Sequence, residues 1–295
     1  MNVNMKILIL GASGMLGHTL LNYFYDNNFD VKGTVRSISK FPEKFLKKHK
    51  NNIIDDVDVF DFSNLEKIIL NEKPDVIINA VGIIKQKKDN YVNNIYINAL
   101  LPHKIAELCE INNIRFITVA TDCVFKGDLP ENEMYTEQSL SDCVDLYGKS
   151  KFLGEVIDKK NTLTLRTSII GHELGSNFSL IDWFLSQENE INGFTRAFYS
   201  GFPTIVFAKI LHNVIENHKD LSGLHQISSD KISKYDLLQL VNKIYNKNIK
   251  INKNNDFYMN RVLDSANTRK ILNITVPTWE EMVLEMYEDY KNIQK

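Results

Sequence analysis

The sequence predicts an α/β fold: a doubly wound parallel Rossmann sheet with a smaller C-terminal α/β substrate lobe. Three observations carry that expectation. Short apolar runs alternate with helically spaced segments through the first half of the chain. The runs are continuously apolar rather than alternating, as strands buried on both faces must be. A glycine-rich turn, Gly11-Ala12-Ser13-Gly14-Met15-Leu16-Gly17, stands between the first run and the first helical segment.

The candidate strands are 5–10, 31–35, 53–59, 75–79, 115–119 and 162–166, and the helical segments between them include 15–27, 65–72 and 95–112. Right-handed crossovers put helices on both faces of such a sheet, with ligands at the carboxyl ends of the strands. The rhythm weakens after about residue 167, where 171–177 reads as a loop, 178–187 as a short helix and 193–203 as a loop. A helical run at 204–216, a strand-like 223–228, a capped helix from Ser233 and a last helix from Thr278 follow. The expected division is a Rossmann domain over 1–170, to which later chain returns, and a substrate-binding lobe over 171–295. The site then belongs in the cleft between them.

Bulk composition limits the partners. The 295 residues are 43% apolar and 24% charged with a formal net charge of −2, so nothing electrostatic calls for nucleic acid or an anionic membrane. Cys109, Cys123 and Cys143 are odd in number and form no Cys-x-x-Cys pair, so neither a disulfide framework nor a metal site is expected, and a reducing cytosol fits. The run 5–10 is too short for a signal-peptide core, and no later stretch approaches the roughly twenty apolar residues of a membrane span. The expected location is the cytoplasm. The Asn- and Lys-rich stretches 246–248 and 252–255 read as solvated loops and faces. The sequence allows a homodimer and says nothing more about assembly.

In the glycine turn, Gly11 permits the tight bend, Gly14 lets the backbone approach a pyrophosphate, and Gly17 allows close helix–strand packing. Ser13, Met15 and Leu16 complete the loop, whose amides open the helix where its dipole favours negative charge. The second candidate strand runs into Gly33-Thr34-Val35-Arg36-Ser37 and lacks the carboxylate that an NAD site offers to the ribose hydroxyls. Arg36 can instead pair with a 2′-phosphate and Ser37 can donate to it, so NADP(H) is expected ahead of NAD(H). Asp61-Phe62 after the third strand is placed to meet adenine. Ala80-Val81-Gly82 after the fourth is small enough to leave room for the ribose and nicotinamide end.

Tyr147 and Lys151 stand four residues apart, hence on one helix face. A tyrosine of ordinary pKa, about 10, is a poor acid or base at neutral pH, and a nearby ammonium makes it a better one. Thr121, at the end of the fifth strand, offers a hydroxyl to the same substrate oxygen. Tyr-x-x-x-Lys alone means little; with the glycine loop and the strand-end threonine it points to carbonyl chemistry beside a nicotinamide.

Taken together, these residues resemble the extended short-chain dehydrogenase/reductase family, and within it the dTDP-4-dehydrorhamnose reductase branch, over nearly the whole chain. Thr121-Asp122-Cys123-Val124-Phe125-Lys126-Gly127 resembles that branch's Thr-Asp-Tyr-Val-Phe-x-Gly, and Asn98-Ala99-Leu100-Leu101-Pro102 its Asn-Ala-x-x-Pro. Leu165-Arg166-Thr167-Ser168 is similar to the segment after the catalytic helix, Gly201-Phe202-Pro203-Thr204 to Gly-x-Pro-Thr, and Arg261-Val262-Leu263-Asp264-Ser265 to Arg-Pro-x-Asn-Ser. The resemblance implies a catalytic set of Thr121, Tyr147 and Lys151, with Asn98 supporting the lysine, often through a water. It implies an NADPH-dependent oxidoreductase that reduces the keto group of a nucleotide-linked deoxy sugar for cell-surface polysaccharide, Tyr147 supplying the proton. Cys123 in place of tyrosine, Val262 in place of proline and the apolar, basic stretch 81–86 depart from the branch where it borders its substrate.

In the lobe, Arg166, Arg196 and Arg261 are candidates for diphosphate oxygens, and Trp183, Phe194, Phe198 and Tyr199 for stacking on a base or sugar. His103 and His172 lack metal-ligand spacing and read as structural or solvated. Two other functions stay open. A nucleotide-sugar epimerase of the same fold would recycle its cofactor, whereas Asp122-Cys123 after Thr121 argues against a dehydratase. A non-catalytic NADP-binding regulatory subunit would keep the fold without turnover.

Overall fold

The structure is a computed structural model that describes residues 5–85 and 90–294; Gln86, which ends the apolar and basic stretch, lies outside the described residues. The first six strands follow the expected order: β1 (Lys6–Leu10), β2 (Asp30–Thr34), β3 (Ile53–Ile54), β4 (Val76–Asn79), β5 (Arg115–Thr121) and β6 (Thr162–Thr167). The second part adds β7 (Ile169–Ile170), β8 (Ile191–Tyr199), β9 (Phe202–Pro203), β10 (Gly223–Gln226), β11 (Ile232–Ser233) and β12 (Ile251–Asn260). One parallel seven-stranded sheet runs in the order β10-β6-β5-β4-β1-β2-β3. Its order reverses between β1 and β4, so a ligand crevice opens at the carboxyl ends of those two strands.

Strand geometry explains the layers. Successive side chains point to opposite faces, so Ile7 and Ile9 of β1 join one apolar cluster and Leu8 and Leu10 the other. Likewise Val76 and Ile78 of β4 face the first cluster, and Ile77 the second. Helices α1 (Met15–Asp26) and α2 (Glu43–Lys48) feed the first cluster, and α3 (Phe62–Glu72) the second. Asp61 caps α3 by accepting from the Asn64 amide at 3.0 Å.

Two expectations change here. The strand 53–59 stops at Ile54, because Asp56 takes a left-handed φ of 57° and turns the chain while Val57 and Val59 stay buried. The helix 95–112 is interrupted: α4 (Tyr91–Asn94) passes through a π-turn, Ile95–Leu100, before α5 (Leu101–Ile111). Pro102 has no N–H to give to the Asn98 carbonyl one turn back, so the α-helical ladder cannot run through.

The rest of the chain carries helices α6 (Leu146–Leu153), α7 (Leu180–Ser186), α8 (Thr204–Asn217), α9 (Lys234–Ile244), α10 (Ala266–Ile271) and α11 (Trp279–Gln294). Of these α6 covers the end of β5, and α8 packs on α1, with Thr19 donating to Thr204 at 3.1 Å. A separate three-stranded sheet runs β11-β8-β12. It overturns two loop readings, since 193–203 contains most of β8 and the Asn-rich 252–255 lies within β12. β12 alternates half-buried and exposed residues from Asn252 to Asn255 and is buried only at Ile251 and Asn260, along a parallel pairing with β8 whose register shifts between Asn254 and Tyr258. Among the described residues no helix is long and apolar enough to cross a membrane.

Candidate active site

The glycine loop lies at the crevice predicted by strand order. Gly11 has a φ of 81°, and a Cβ there would come within 2.9 Å of the Val81 side chain. A Cβ on Gly17 would stand 2.2 Å from the Gly11 carbonyl oxygen, so neither position tolerates a side chain. Gly14 is the N-cap of α1, and no side chain caps that helix, which leaves its first amides open to an external acceptor. Ser13 and Met15 are partly exposed beside it, and Leu16 is buried beneath. Sequence reasoning missed His18, which is buried and holds the Gly14 carbonyl through Nδ1 at 2.8 Å. Burial pushes its pKa down to about 4, so the imidazole is neutral and Nδ1–H donates.

The other cofactor candidates follow β2, β3 and β4 along the chain. Arg36 is exposed just past β2. The Ser37 hydroxyl accepts from the Ser39 amide at 3.2 Å and donates to the Ser39 hydroxyl at 2.9 Å, so it is engaged locally. Asp61 keeps its capping role, and the Phe62 ring lies 4.0 Å from the Lys104 ammonium. Past β4, the Ala80 amide donates to the Leu10 carbonyl and the Val81 amide to Asn79 Oδ1; Gly82 is exposed.

The catalytic candidates meet at the end of β5. Thr121 is its last residue and is buried; Tyr147 and Lys151 ride on α6, which Asp145 caps by accepting from the Gly148 amide at 2.8 Å. The Tyr147 phenol lies near enough to the Thr121 hydroxyl to be influenced by it, and that hydroxyl itself donates to Asp122 Oδ1 at 3.2 Å and accepts from the Cys123 amide at 3.2 Å. Burial raises the phenol well above its ordinary value, with the Cys123 thiol acting in the same direction, so Tyr147 keeps its proton across the physiological range. Lys151 Nζ donates to the Val119 carbonyl at 2.7 Å. Burial lowers its pKa to about 8, against a raising effect from Glu155. A protonated phenol, a threonine hydroxyl and an amine thus lie about the last residues of β5; groups of these types can give a proton to a developing alkoxide.

Asn98 joins two segments of the site. It is buried in the π-turn, where Oδ1 accepts from the Ile83 amide at 2.9 Å, and Nδ2 donates to the Ile83 carbonyl at 3.0 Å and to Ser150 Oγ at 3.2 Å. It therefore ties the segment after β4 to the helix that carries Tyr147 and Lys151.

The lobe candidates separate. Arg166 is buried, and its Nε and Nη2 pair bidentately with Glu155 at 2.6 and 2.7 Å, with Phe125 5.3 Å from the guanidinium carbon. That fork is taken, so Arg166 is an internal strut rather than a ligand for diphosphate. Phe198 and Tyr199 are core residues, and Phe194 packs on Phe257. Trp183 is exposed on α7, and Arg196 is exposed with its guanidinium 4.9 Å from the Tyr258 ring. Arg261 reaches the catalytic end of β5, donating from Nη1 to Cys123 Sγ at 3.2 Å and from Nη2 to the Lys126 carbonyl at 3.3 Å. Lys234, at the first position of α9, is half-buried, and burial lowers its ammonium against raising effects of Asp122 and Cys123. His172 bonds Asp182 at 2.6 Å and Tyr245 at 2.9 Å, and His103 bonds the Leu153 carbonyl at 2.8 Å, so both serve packing.

Comparison with known proteins places this geometry. The family model of the RmlD substrate binding domain matches residues 5–292. The chain is 26% identical to a dTDP-4-dehydrorhamnose reductase of Aggregatibacter actinomycetemcomitans over 78% of this chain and 76% of that protein. It is also 26% identical to methionine adenosyltransferase 2 subunit beta of Bos taurus, over 54% of this chain and 44% of that protein. A dTDP-4-dehydrorhamnose reductase of Bacillus anthracis in complex with NADP superposes with a TM-score of 0.78 at 18% identity, covering 98% of this chain and 99% of that one.

Proposed function

We propose, from the premise that this chain belongs to the RmlD substrate binding domain family, that it is an NADPH-dependent reductase of a nucleotide-linked keto-deoxy sugar. The observation that carries the proposal is the meeting of Thr121, Tyr147 and Lys151 at the end of β5, beside the uncapped start of α1. The open amides of α1 and the exposed Arg36 past β2 fit a dinucleotide with a 2′-phosphate. When bound, the cofactor supplies the hydride. Tyr147 gives its proton to the substrate oxygen, Thr121 donates a hydrogen bond to that oxygen, and Lys151 favours the phenolate left behind. Asn98 holds α6 in place for this. Trp183, Arg196 and Arg261 are the lobe residues proposed to hold the nucleotide and sugar.

The test follows NADPH oxidation against nucleotide-linked 4-keto sugars made in situ by the corresponding dehydratases. Stoichiometric consumption of NADPH with one of them supports the reductase. Isomerised product without net cofactor consumption would point to an epimerase. The likeness to methionine adenosyltransferase 2 subunit beta supports a second reading, an NADP-binding partner subunit. Tight NADPH binding with no turnover of any sugar in the panel would favour that reading and overturn ours.

Cofactor choice has its own test. A charge-assisted contact contributes about 1.5–3 kcal/mol, so Arg36→Ala is expected to erode the preference for NADPH over NADH by roughly ten- to hundredfold in kcat/KM. An unchanged ratio would remove Arg36 from 2′-phosphate recognition.

A further inference from the structure

Tyr147 and Lys151 share one side of α6, and between them in sequence Ser150 is buried. Its hydroxyl has one proton and two lone pairs. The proton goes to the Tyr147 carbonyl at 3.0 Å, and a lone pair accepts from Asn98 Nδ2 at 3.2 Å. Asn98 in turn grips both polar groups of the Ile83 backbone, accepting from its amide and donating to its carbonyl. A side-chain amide used in this way binds the chain as a neighbouring strand would. Ile83 follows Ala80-Val81-Gly82, whose first two amides are fixed to the Leu10 carbonyl and to Asn79 Oδ1. A path of hydrogen bonds thus runs from the segment that leaves β4, through Ile83, Asn98 and Ser150, to the peptide that carries the Tyr147 phenol.

The end of α6 lies on the same π-turn, since a Cβ on Gly154 would stand 1.9 Å from the Asn98 carbonyl oxygen. A second tie joins the same two segments: Lys85 Nζ meets Asp145, the cap of α6, at 2.8 Å. Lys85 is 54% exposed, so water and salt screen that pair and can replace it. The inner tie is different, because Ile83, Asn98 and Ser150 are all buried. Without the Ser150 hydroxyl, one Asn98 N–H loses its partner where water does not reach. Hydride and proton must arrive at the two atoms of one carbonyl, and a misplacement of about 1 Å costs on the order of 10²-fold in rate.

We infer that Ser150 is a positioning residue for the reduction, which holds the turn of α6 bearing Tyr147 in register with the segment that leaves β4. Ser150 acts through Asn98 and the Tyr147 peptide, and touches neither substrate nor cofactor in this role. The inference rests on the reductase reading, in which residues 80–82 border the nicotinamide end and Tyr147 gives the proton.

The experiment compares Ser150→Ala, Ser150→Thr, Asn98→Ala and Asn98→Ala/Ser150→Ala in the full chain. Turnover is measured with the nucleotide-linked 4-keto sugar that consumes NADPH, and hydrogen exchange over residues 81–85 is measured without sugar. Ser150→Ala should lower kcat about ten- to hundredfold, with the sugar KM and the NADPH Kd within about threefold of the parent. Ser150→Thr keeps a hydroxyl that can bond the carbonyl one turn back, and should recover most of the loss. Serine and asparagine act in series, so the double variant should be no slower than Asn98→Ala. The Ile83 amide should exchange faster in Ser150→Ala than in the parent. Parental kcat in Ser150→Ala, an equal loss in Ser150→Thr, or effects that multiply in the double variant overturn the inference and leave the reductase reading standing. Unchanged exchange at Ile83 overturns it as well, whether or not a substrate is found. If no sugar in the panel consumes NADPH, the reductase reading itself fails, and the role of Ser150 in reduction falls with it.

Discussion

Tyr147→Phe is expected to lower kcat by about 10²–10⁴-fold, the range for loss of a positioned general acid, with NADPH affinity essentially unchanged. The change removes one oxygen from a half-buried ring, so it takes away the proton without opening a cavity. The pH profile supplies an independent readout. Burial keeps the Tyr147 proton in place far above neutrality, so no tyrosine titration falls in the working range. Lys151, lowered to about 8, does titrate there. It is charged below that value and neutral above it, so kcat/KM for reduction should fall as pH rises through about 8. Lys151→Arg should push that limb upward, because a guanidinium stays protonated. Stopped-flow binding with steady-state kinetics from pH 6 to about 10 reads both effects. Undiminished turnover in Tyr147→Phe would exclude the phenol as proton donor.

The parallel sheet was legible because its strands are buried on both faces, so Ile7 to Leu10 and Val76 to Ile78 are apolar without interruption. The glycine loop was legible because close backbone approach at residue 17 leaves the sequence no alternative. β8 and β12 were not, because they form a small sheet of which one side is wet. Residues such as Lys253 and Asn255 serve on its exposed side, and only pairing with Ile191 to Phe194 makes that segment a strand. The π-turn was within reach, since Pro102 stands four residues after Asn98, yet helical spacing alone gave no warning of it. Functional residues divide in the same way. Thr121, Tyr147 and Lys151 follow from position at a strand end and spacing on a helix. The fate of Arg166 follows from which charges converge in space, since it finds Glu155 across the fold, and no local pattern encodes that.

Glu155→Ala is expected to destabilise the fold by about 3–5 kcal/mol, because it strands a buried guanidinium. Glu155 and Arg166 are 4% and 3% exposed, so water cannot take over the pairing. Arg166 sits in β6 with β5 on one side and β10 on the other, and its guanidinium cannot leave without breaking sheet contacts. In a chain of this size that loss corresponds to a fall in Tm of about 6–15 °C, read by calorimetry. The double variant Glu155→Leu/Arg166→Met removes both charges and should recover most of the loss, since apolar replacement of a buried pair is often neutral. Equal destabilisation in single and double variants would mean that packing, not charge, makes the strut necessary. Catalysis gives a second, separable readout. Glu155 raises the proton affinity of Lys151, so the descending limb of kcat/KM should move to lower pH in both variants. The double variant therefore should regain its melting temperature without regaining its pH profile. A profile that returns with the melting temperature would show that Glu155 serves the fold alone.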